Sequence, residues 1–260
     1  MKRFQTLSVV AIMLALQSCN TPSYFLPAVT GNDIAYLPKP MEVDSVKSKI
    51  HISGSIAGMT LPYNSGNLDM VFLNVSRGHT LKSLNFAYGV FGFAGRTTDE
   101  NTNKGENQIV EFDNKNFYGG GLRSSLGFYD TSGNAEFRVL SWENSLSFEN
   151  GSYSSFRKKY STMNNKDIVS ASQTMMYTTG AATEIIWHSK NRPANQFAFR
   201  IFFGFTADLN RNLQKSNPKE EIDGKAIDFA FFMKLNKFYG VLNAGGNKGL
   251  TSKLSLGYAF

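Results

Sequence analysis

The sequence predicts an all-β chain: a single antiparallel up-and-down β-barrel of about 10 strands, within a range of roughly 8–12, behind a signal peptide and a Pro-rich tether. Three observations point there. Apolar residues recur at every second position through most of the chain after residue 48, the period of an extended strand. The polar breaks between these segments alternate between long and short. The last segment, Thr251–Phe260, keeps the alternation to its end and closes on Phe260.

A length of 260 residues suits one large all-β domain or two ordinary domains. Aromatic residues make up 13 % of the chain and hydrophobic residues 42 %, which excludes disorder and collagen-like architecture. After residue 18 no apolar run approaches the ~20 residues of a membrane-spanning helix. A polytopic helical membrane protein is therefore excluded, whereas a membrane β-barrel is not.

Residues 1–18 read as an export signal, with Lys2 and Arg3 ahead of the apolar run Leu7–Leu16. The following Leu16-Gln17-Ser18-Cys19 resembles the bacterial lipoprotein box. That resemblance implies cleavage before Cys19 and acylation of its sulfur and amino group by palmitate-type chains, several of which anchor firmly. The alternative is a spare or buried thiol, with an ordinary signal peptidase cutting nearby. Cys19 is the sole cysteine, so no intrachain disulfide can form. Loss of Lys2 and Arg3 would take the formal charge from +7 to +5, a modest excess compatible with anionic lipid or with an ordinary solvated surface. Basic helices, RNP-like aromatic motifs and zinc-finger spacings are all missing from the sequence, so nucleic acid is not an expected partner.

Residues 19–48 comprise Cys19 and a stretch holding Pro22, Pro27, Pro38 and Pro40, read as an extended tether between lipid and domain. Its Tyr24, Phe25, Leu26, Tyr36 and Leu37 suggest that part of it packs on the domain or at the membrane interface. The barrel domain occupies 49–260. Strands are expected at 49–59, 68–77, 83–95, 116–129, 135–149, 168–189, 196–207, 226–235, 238–246 and 251–260, the sixth kinked at Thr179-Gly180. Long breaks fall near 60–67, 96–115, 150–167 and 208–225; short ones fall near 78–82, 130–134, 190–195 and 236–237.

The face assignments are explicit. In Gln196–Thr206, Phe197, Phe199, Ile201, Phe203 and Phe205 share one side, with Arg200 on the other. In Ala226–Leu235, Ile227, Phe229, Phe231, Met233 and Leu235 oppose Asp228 and Lys234. In Ala135–Glu149, Leu140, Trp142, Leu146 and Phe148 oppose Glu143 and its serine neighbours. A helix would scatter these charges, whereas a strand collects them on one side. A barrel of about ten strands has a narrow lumen, here obstructed by Arg123, Glu143, Arg200, Asp228 and Lys234, and no large pore is expected. Arg123 and Glu143 are expected as inward diagonal neighbours, close enough to pair.

Alternating long and short connections are a habit of outer-membrane barrels, and a sheet enters lipid only if closure pairs all its backbone groups. An even strand count puts both termini on one side. The lipid on Cys19 would enter the periplasmic leaflet, giving a periplasmic N-terminus. The last strand, with Leu254, Leu256, Tyr258 and Phe260 on alternate positions, resembles the recognition signal used by the outer-membrane barrel assembly machinery. The combination of Ser18-Cys19, a Pro/Tyr-rich tether, His51-Ile52-Ser53-Gly54-Ser55 and Phe117-Tyr118-Gly119-Gly120-Gly121-Leu122 resembles uncharacterised lipoproteins of Bacteroidota. That resemblance implies a small outer-membrane-type barrel and brings no catalytic residues.

Of the three histidines, His51, His79 and His188, none has a metal-ligand partner at the usual short spacings. His188 and Ser189 are adjacent on a predicted strand, so they point apart and form no nucleophile–base pair. No catalytic residue, metal site or cofactor is expected. The leading expectation is a lipid-anchored outer-membrane barrel with a structural or accessory role in the cell envelope. Its partners would be outer-membrane lipid, the assembly machinery during biogenesis, and an envelope protein complex reached through the long loops. A soluble periplasmic lipocalin-like barrel carrying an apolar ligand is the alternative, and a lipid-modifying outer-membrane enzyme the third reading.

Overall fold

Alternation of apolar and polar side chains favours a sheet with one greasy and one polar face, and closing such a sheet leaves no edge unpaired. The computed structural model describes residues 23–44, 46–99, 110–163, 168–207, 209 and 224–260. Twelve strands and one α-helix follow in order: β1 (Ser23–Phe25), β2 (Ser48–Thr60), β3 (Asn67–Thr80), β4 (Leu84–Thr98), β5 (Asn116–Ser132), β6 (Ala135–Asn150), α1 (Ser152–Ser161), β7 (Ile168–Ser170), β8 (Met175–His188), β9 (Gln196–Thr206), β10 (Lys225–Leu235), β11 (Phe238–Asn247) and β12 (Gly249–Ala259). Ten of these strands, all but β1 and β7, form a closed antiparallel barrel. The first wall strand meets the last, with Ile56 opposite Leu254.

The polarity of the wall is the reverse of a soluble barrel's. Leu73, Val90, Leu122, Trp142, Phe203, Phe229, Leu242 and Leu256 point outward and are exposed. Ser53, Ser55, Arg123, Ser125, Glu143, Ser145, Arg200, Asp228 and Lys253 point inward and are buried. In β6 one extra residue at Val139–Leu140 shifts the register against both neighbours. This bulge leaves Val139 and Leu140 both exposed, and it lets Arg138 and Ser141 both face inward although they are an odd number of residues apart.

The connections sort by end. Residues 81–83, 133–134, 189–195 and 236–237 make short turns at the rim that also carries Ser48 and Phe260. Residues 99–115, 151–174 and 207–224 make the long connections at the opposite rim, where residues 61–66 join β2 to β3 and β11 turns into β12 through Lys248 alone, at φ 63°. The expected alternation therefore holds for the three long connections and fails at 61–66, which is no longer than 189–195, and at that last turn.

Two expectations need correction. The sixth strand does not run from 168 to 189, and at the expected kink, Thr179-Gly180, its pairing with both neighbours continues without a register shift. Ile168–Ser170 leaves the wall to pair in parallel with Ser23–Phe25, and the wall resumes at Met175. Arg157 of α1 holds that departure by donating to the carbonyls of Ala171 and Gln173. The helix itself falls within the predicted loop 150–167, with Tyr153, Phe156 and Arg157 buried at helical spacing.

The second correction concerns the tether. Residues 24–41 do not span between domain and membrane; apart from the half-buried Ala35 they are buried inside the barrel. Ser23 sits at the long-connection rim, where Tyr24 donates its N–H to Ser65 and Phe25 packs against Phe112 and Phe156. Met41 sits at the other rim, beside Thr80 and Glu136. The chain thus traverses the lumen from rim to rim before β2 begins. The barrel's own ends, Ser48 and Phe260, share a rim as an even strand count requires, but Ser23 lies at the opposite one.

Candidate functional site in the barrel lumen

The site is the occupied lumen, built in three storeys along residues 23–44. At the long-connection rim the occupant is apolar. Tyr24, Phe25, Leu26 and Val29 join a core with Met59, Leu68, Phe72, Phe91, Phe93, Phe112, Phe117, Tyr153 and Phe156. Burying a side chain the size of Phe25 contributes about 2–3 kcal/mol. Space for the inward rings comes from glycine on the facing strand. Phe93 lies opposite Gly119 and Phe91 opposite Gly121. A Cβ on Gly121 would sit 2.7 Å from the Phe91 ring and 2.3 Å from the Leu146 carbonyl. Several polar groups at this level pair within it. Tyr153 donates to the Leu26 carbonyl at 2.8 Å, and Arg157 pairs with Glu149 at 2.7 Å. The Ala28 N–H donates to the same carboxylate at 2.6 Å.

In the middle storey the thread turns on itself. The N–H groups of Asn32 and Asp33 both donate to the Val29 carbonyl at 2.8 Å, with Gly31 at φ +74°. A side chain at Gly31 would be strained by that φ and would also press on Gly246, 3.1 Å away. The turn aims its carbonyls at cations on the wall. Arg123 donates to the carbonyls of Asp33 and Asn32 and to Asn74 Oδ1, and its guanidinium lies 3.8 Å from the centre of the Phe91 ring. Lys253 donates to the carbonyls of Asn32 at 2.7 Å and Ile34 at 3.1 Å, and Ser145 to that of Asp33 at 3.1 Å. Below them Arg200 bridges Glu143 at 2.8 Å and Asp228 at 2.7 Å, while Asn243 donates to Asp228 at 3.0 Å.

Toward the short-turn rim, Arg138 sits between Glu136 at 2.7 Å and Glu184 at 3.1 Å, fully buried. Its remaining edge donates to the thread's carbonyls at Lys39 and Pro40. Tyr36 donates to Glu184, Lys39 to Ser125 Oγ, and the Glu42 N–H to Glu136. The thread leaves the lumen at Asp44, which accepts from Gln196 and pairs with Lys49 at 3.3 Å. Burial alone would raise the Asp44 carboxyl, but Lys234 and then Lys49 outweigh it and hold the group below its usual value.

All five polar residues assigned to the lumen, Arg123, Glu143, Arg200, Asp228 and Lys234, are buried and inward-facing. The anticipated Arg123–Glu143 pair is not among the ion pairs, although the two are diagonal neighbours across β5 and β6. Glu143 is engaged by Arg200 from β9, reaching across β8, and Arg123 turns to the thread instead. Sequence reasoning did not assign Glu149, Glu184 and Lys253 to the lumen network although each lies on the inward parity of its strand, and it missed Glu136 and Arg138 because the β6 bulge reverses their parity relative to Glu143. It also missed Arg157, whose signal was the spacing of Tyr153, Phe156, Arg157 and Tyr160 on one helical face.

Leu254, Leu256 and Phe260 are exposed on the outer face of the final segment, with the half-buried Tyr258 edge-on to Phe238 and Phe260. His51 is buried edge-on to Tyr239, and His79 stacks on Phe86 at 4.4 Å. Among the described residues no group of histidine, cysteine, aspartate and glutamate is disposed to hold a metal ion. The export signal and Cys19 lie outside the described residues.

No protein-family model matches this chain, and no curated protein matches it in sequence. Among solved structures, it is similar to the transport unit of the autotransporter AIDA-I from Escherichia coli, at 11 % identity and a TM-score of 0.43, over 86 % of this chain and 94 % of that one. An outer-membrane channel from Pseudomonas putida F1 aligns over 87 % of this chain and all of its own, at 10 % identity and a TM-score of 0.40. The translocator domain of the autotransporter NalP from Neisseria meningitidis aligns over 84 % and 90 %, at 9 % identity and a TM-score of 0.31. Likeness at that level carries no functional reading of this chain.

Proposed function

We infer that this chain is an outer-membrane-spanning β-barrel, further anchored by acylation at Cys19, with a structural or accessory role in the cell envelope rather than a catalytic one. One observation carries the reading: every strand of the closed wall turns large apolar side chains outward while Arg123, Arg138, Glu143, Arg200, Asp228 and Lys253 face a filled interior, and the outward Asp69, Arg77, Arg96 and Asp130 lie toward strand ends. Water tolerates scattered apolar residues but not a continuous band around a whole barrel, whereas hydrocarbon requires that band. A lipocalin-like carrier needs the opposite polarity and a vacant interior; here the lumen is taken up by residues 24–41 of the same chain. The same occupancy argues against a conduit for solutes. The outward alternation of Leu254, Leu256 and Phe260 suits recognition by the assembly machinery.

The test is carbonate extraction of membranes carrying Cys19→Ser, with gel mobility read before and after boiling. The variant is expected to stay in the membrane pellet and to migrate compactly until boiled. Release as a monodisperse protein without detergent would defeat the reading. Labelling with radioactive palmitate is expected for the wild type and not for Cys19→Ser.

A further inference from the structure

The lumen thread has a direction, and the direction decides where its N-terminal end emerges. Ser23 lies at the rim of the long connections, held by the parallel pairing of Ser23–Phe25 with Ile168–Ser170. Met41 lies at the rim of the short turns, where the next residue donates to Glu136. Between them the thread is fixed against sliding by Arg123, Lys253 and Arg138, whose hydrogen bonds go to carbonyls of residues 32–34 and 39–40. Cys19 precedes Ser23 by four residues, which reach at most ~14 Å even when fully extended. The apolar band of an outer-membrane barrel is ~25 Å tall. With the thread seated, Cys19 cannot reach the rim that holds Phe260.

Outer-membrane barrels keep their short turns and C-terminal end in the periplasm and their long connections outside. We propose that the lumen segment carries the acylated Cys19 to the cell-surface side, so that its acyl chains insert into the outer leaflet, opposite the end that bears Phe260. This rests on the outer-membrane reading above and replaces the periplasmic N-terminus expected from strand counting. The lipid and the wall then clamp the membrane from both leaflets. The filled lumen leaves no passage for acyl chains, so the thread must be in place before β12 pairs with β2 during assembly.

The test uses three versions of the full-length chain, each with one short epitope: between Asn20 and Thr21, within residues 100–109, or between Asn236 and Lys237. Antibody binding is measured on intact cells and again after the outer membrane is permeabilised. The Asn20 and 100–109 epitopes are expected to bind equally in intact cells, and the Asn236 epitope only after permeabilisation. An Asn20 epitope that behaves like the Asn236 epitope, while 100–109 binds in intact cells, overturns the proposal. So does finding both the Asn20 and 100–109 epitopes hidden. Heat-modifiable mobility is read on the same samples; its loss in all three, with all epitopes equally accessible, overturns the barrel reading itself and the proposal with it. Should the Asn20 insertion fail to fold, the same epitope between Thr21 and Pro22 takes its place.

Discussion

Arg123 donates from Nε to the main-chain carbonyl of Asp33, a residue 90 positions earlier in the chain. The donor belongs to the wall and the acceptor to the thread, and the same division recurs with Lys253 and Arg138. The wall supplies cations and the thread supplies backbone carbonyls. The carbonyls of residues 32–34, 39 and 40 are thereby buried with donors from the wall.

Replacing Arg123 by Met keeps bulk but leaves Asn74 Oδ1 without this donor and the Asp33 carbonyl with Ser145 Oγ in place of two donors. A buried acceptor left unpaired costs about 1–3 kcal/mol. The urea midpoint in detergent micelles is expected to fall, and hydrogen exchange at residues 30–34 to accelerate before exchange in the wall strands. Unchanged exchange in the thread would contradict this.

Arg200 serves two carboxylates, so Arg200→Met leaves Glu143 and Asp228 buried without their cation. A loss on the order of 3–5 kcal/mol is expected from urea unfolding. Adding Glu143→Gln and Asp228→Asn to the same chain is expected to recover most of it, because the penalty lies in the abandoned charges.

A Cβ at Gly78 would sit 2.4 Å from the Pro38 carbonyl and 2.9 Å from Lys39 Cα, whereas a Cβ at Gly54 meets nothing within 4 Å. Gly78→Val is therefore expected to loosen the thread or reduce the heat-modifiable fraction, and Gly54→Val to leave both unchanged. Equal behaviour of the two variants would contradict the position of the thread.

Deleting residues 24–40 should leave a water-filled lumen lined by Arg123, Arg138, Arg200 and Lys253. In planar bilayers the deletion variant is expected to show conductance steps, and the full chain none.

The exit of the thread should respond to acid. Lys234 and Lys49 hold the Asp44 carboxyl below its ordinary 3.8 despite the opposing effect of burial. A depressed folded-state value means the contact stabilises fully above the unfolded value and is lost as pH falls through the folded one. Proteolysis at residues 42–47 is expected to accelerate as pH drops below about 4, and Asp44→Asn to remove that dependence.

Much of the wall was legible in the sequence because strand parity is local. The outward Phe197, Phe199, Phe203 and Phe205 and the inward Arg200 follow from position alone, and so does the inward placement of Arg123, Glu143, Asp228 and Lys234. The partner of Glu143 was not legible. In a narrow closed barrel inward side chains meet across intervening strands, so Arg200 reaches over β8 and displaces the nearer Arg123. Helix α1 was hidden because only Tyr153, Phe156 and Arg157 mark its buried face in an otherwise polar stretch.

By itself the sequence determined an antiparallel barrel of about ten strands and which side chains share a face, since both follow from period two and the need to pair every edge. Only the tertiary structure decided what fills that wall. Residues 23–41 have no periodicity, and their Tyr24, Phe25, Leu26, Tyr36 and Leu37 point to packing without saying where; their place inside follows from cations that strands far apart in the chain converge on one axis, where backbone carbonyls accept from them.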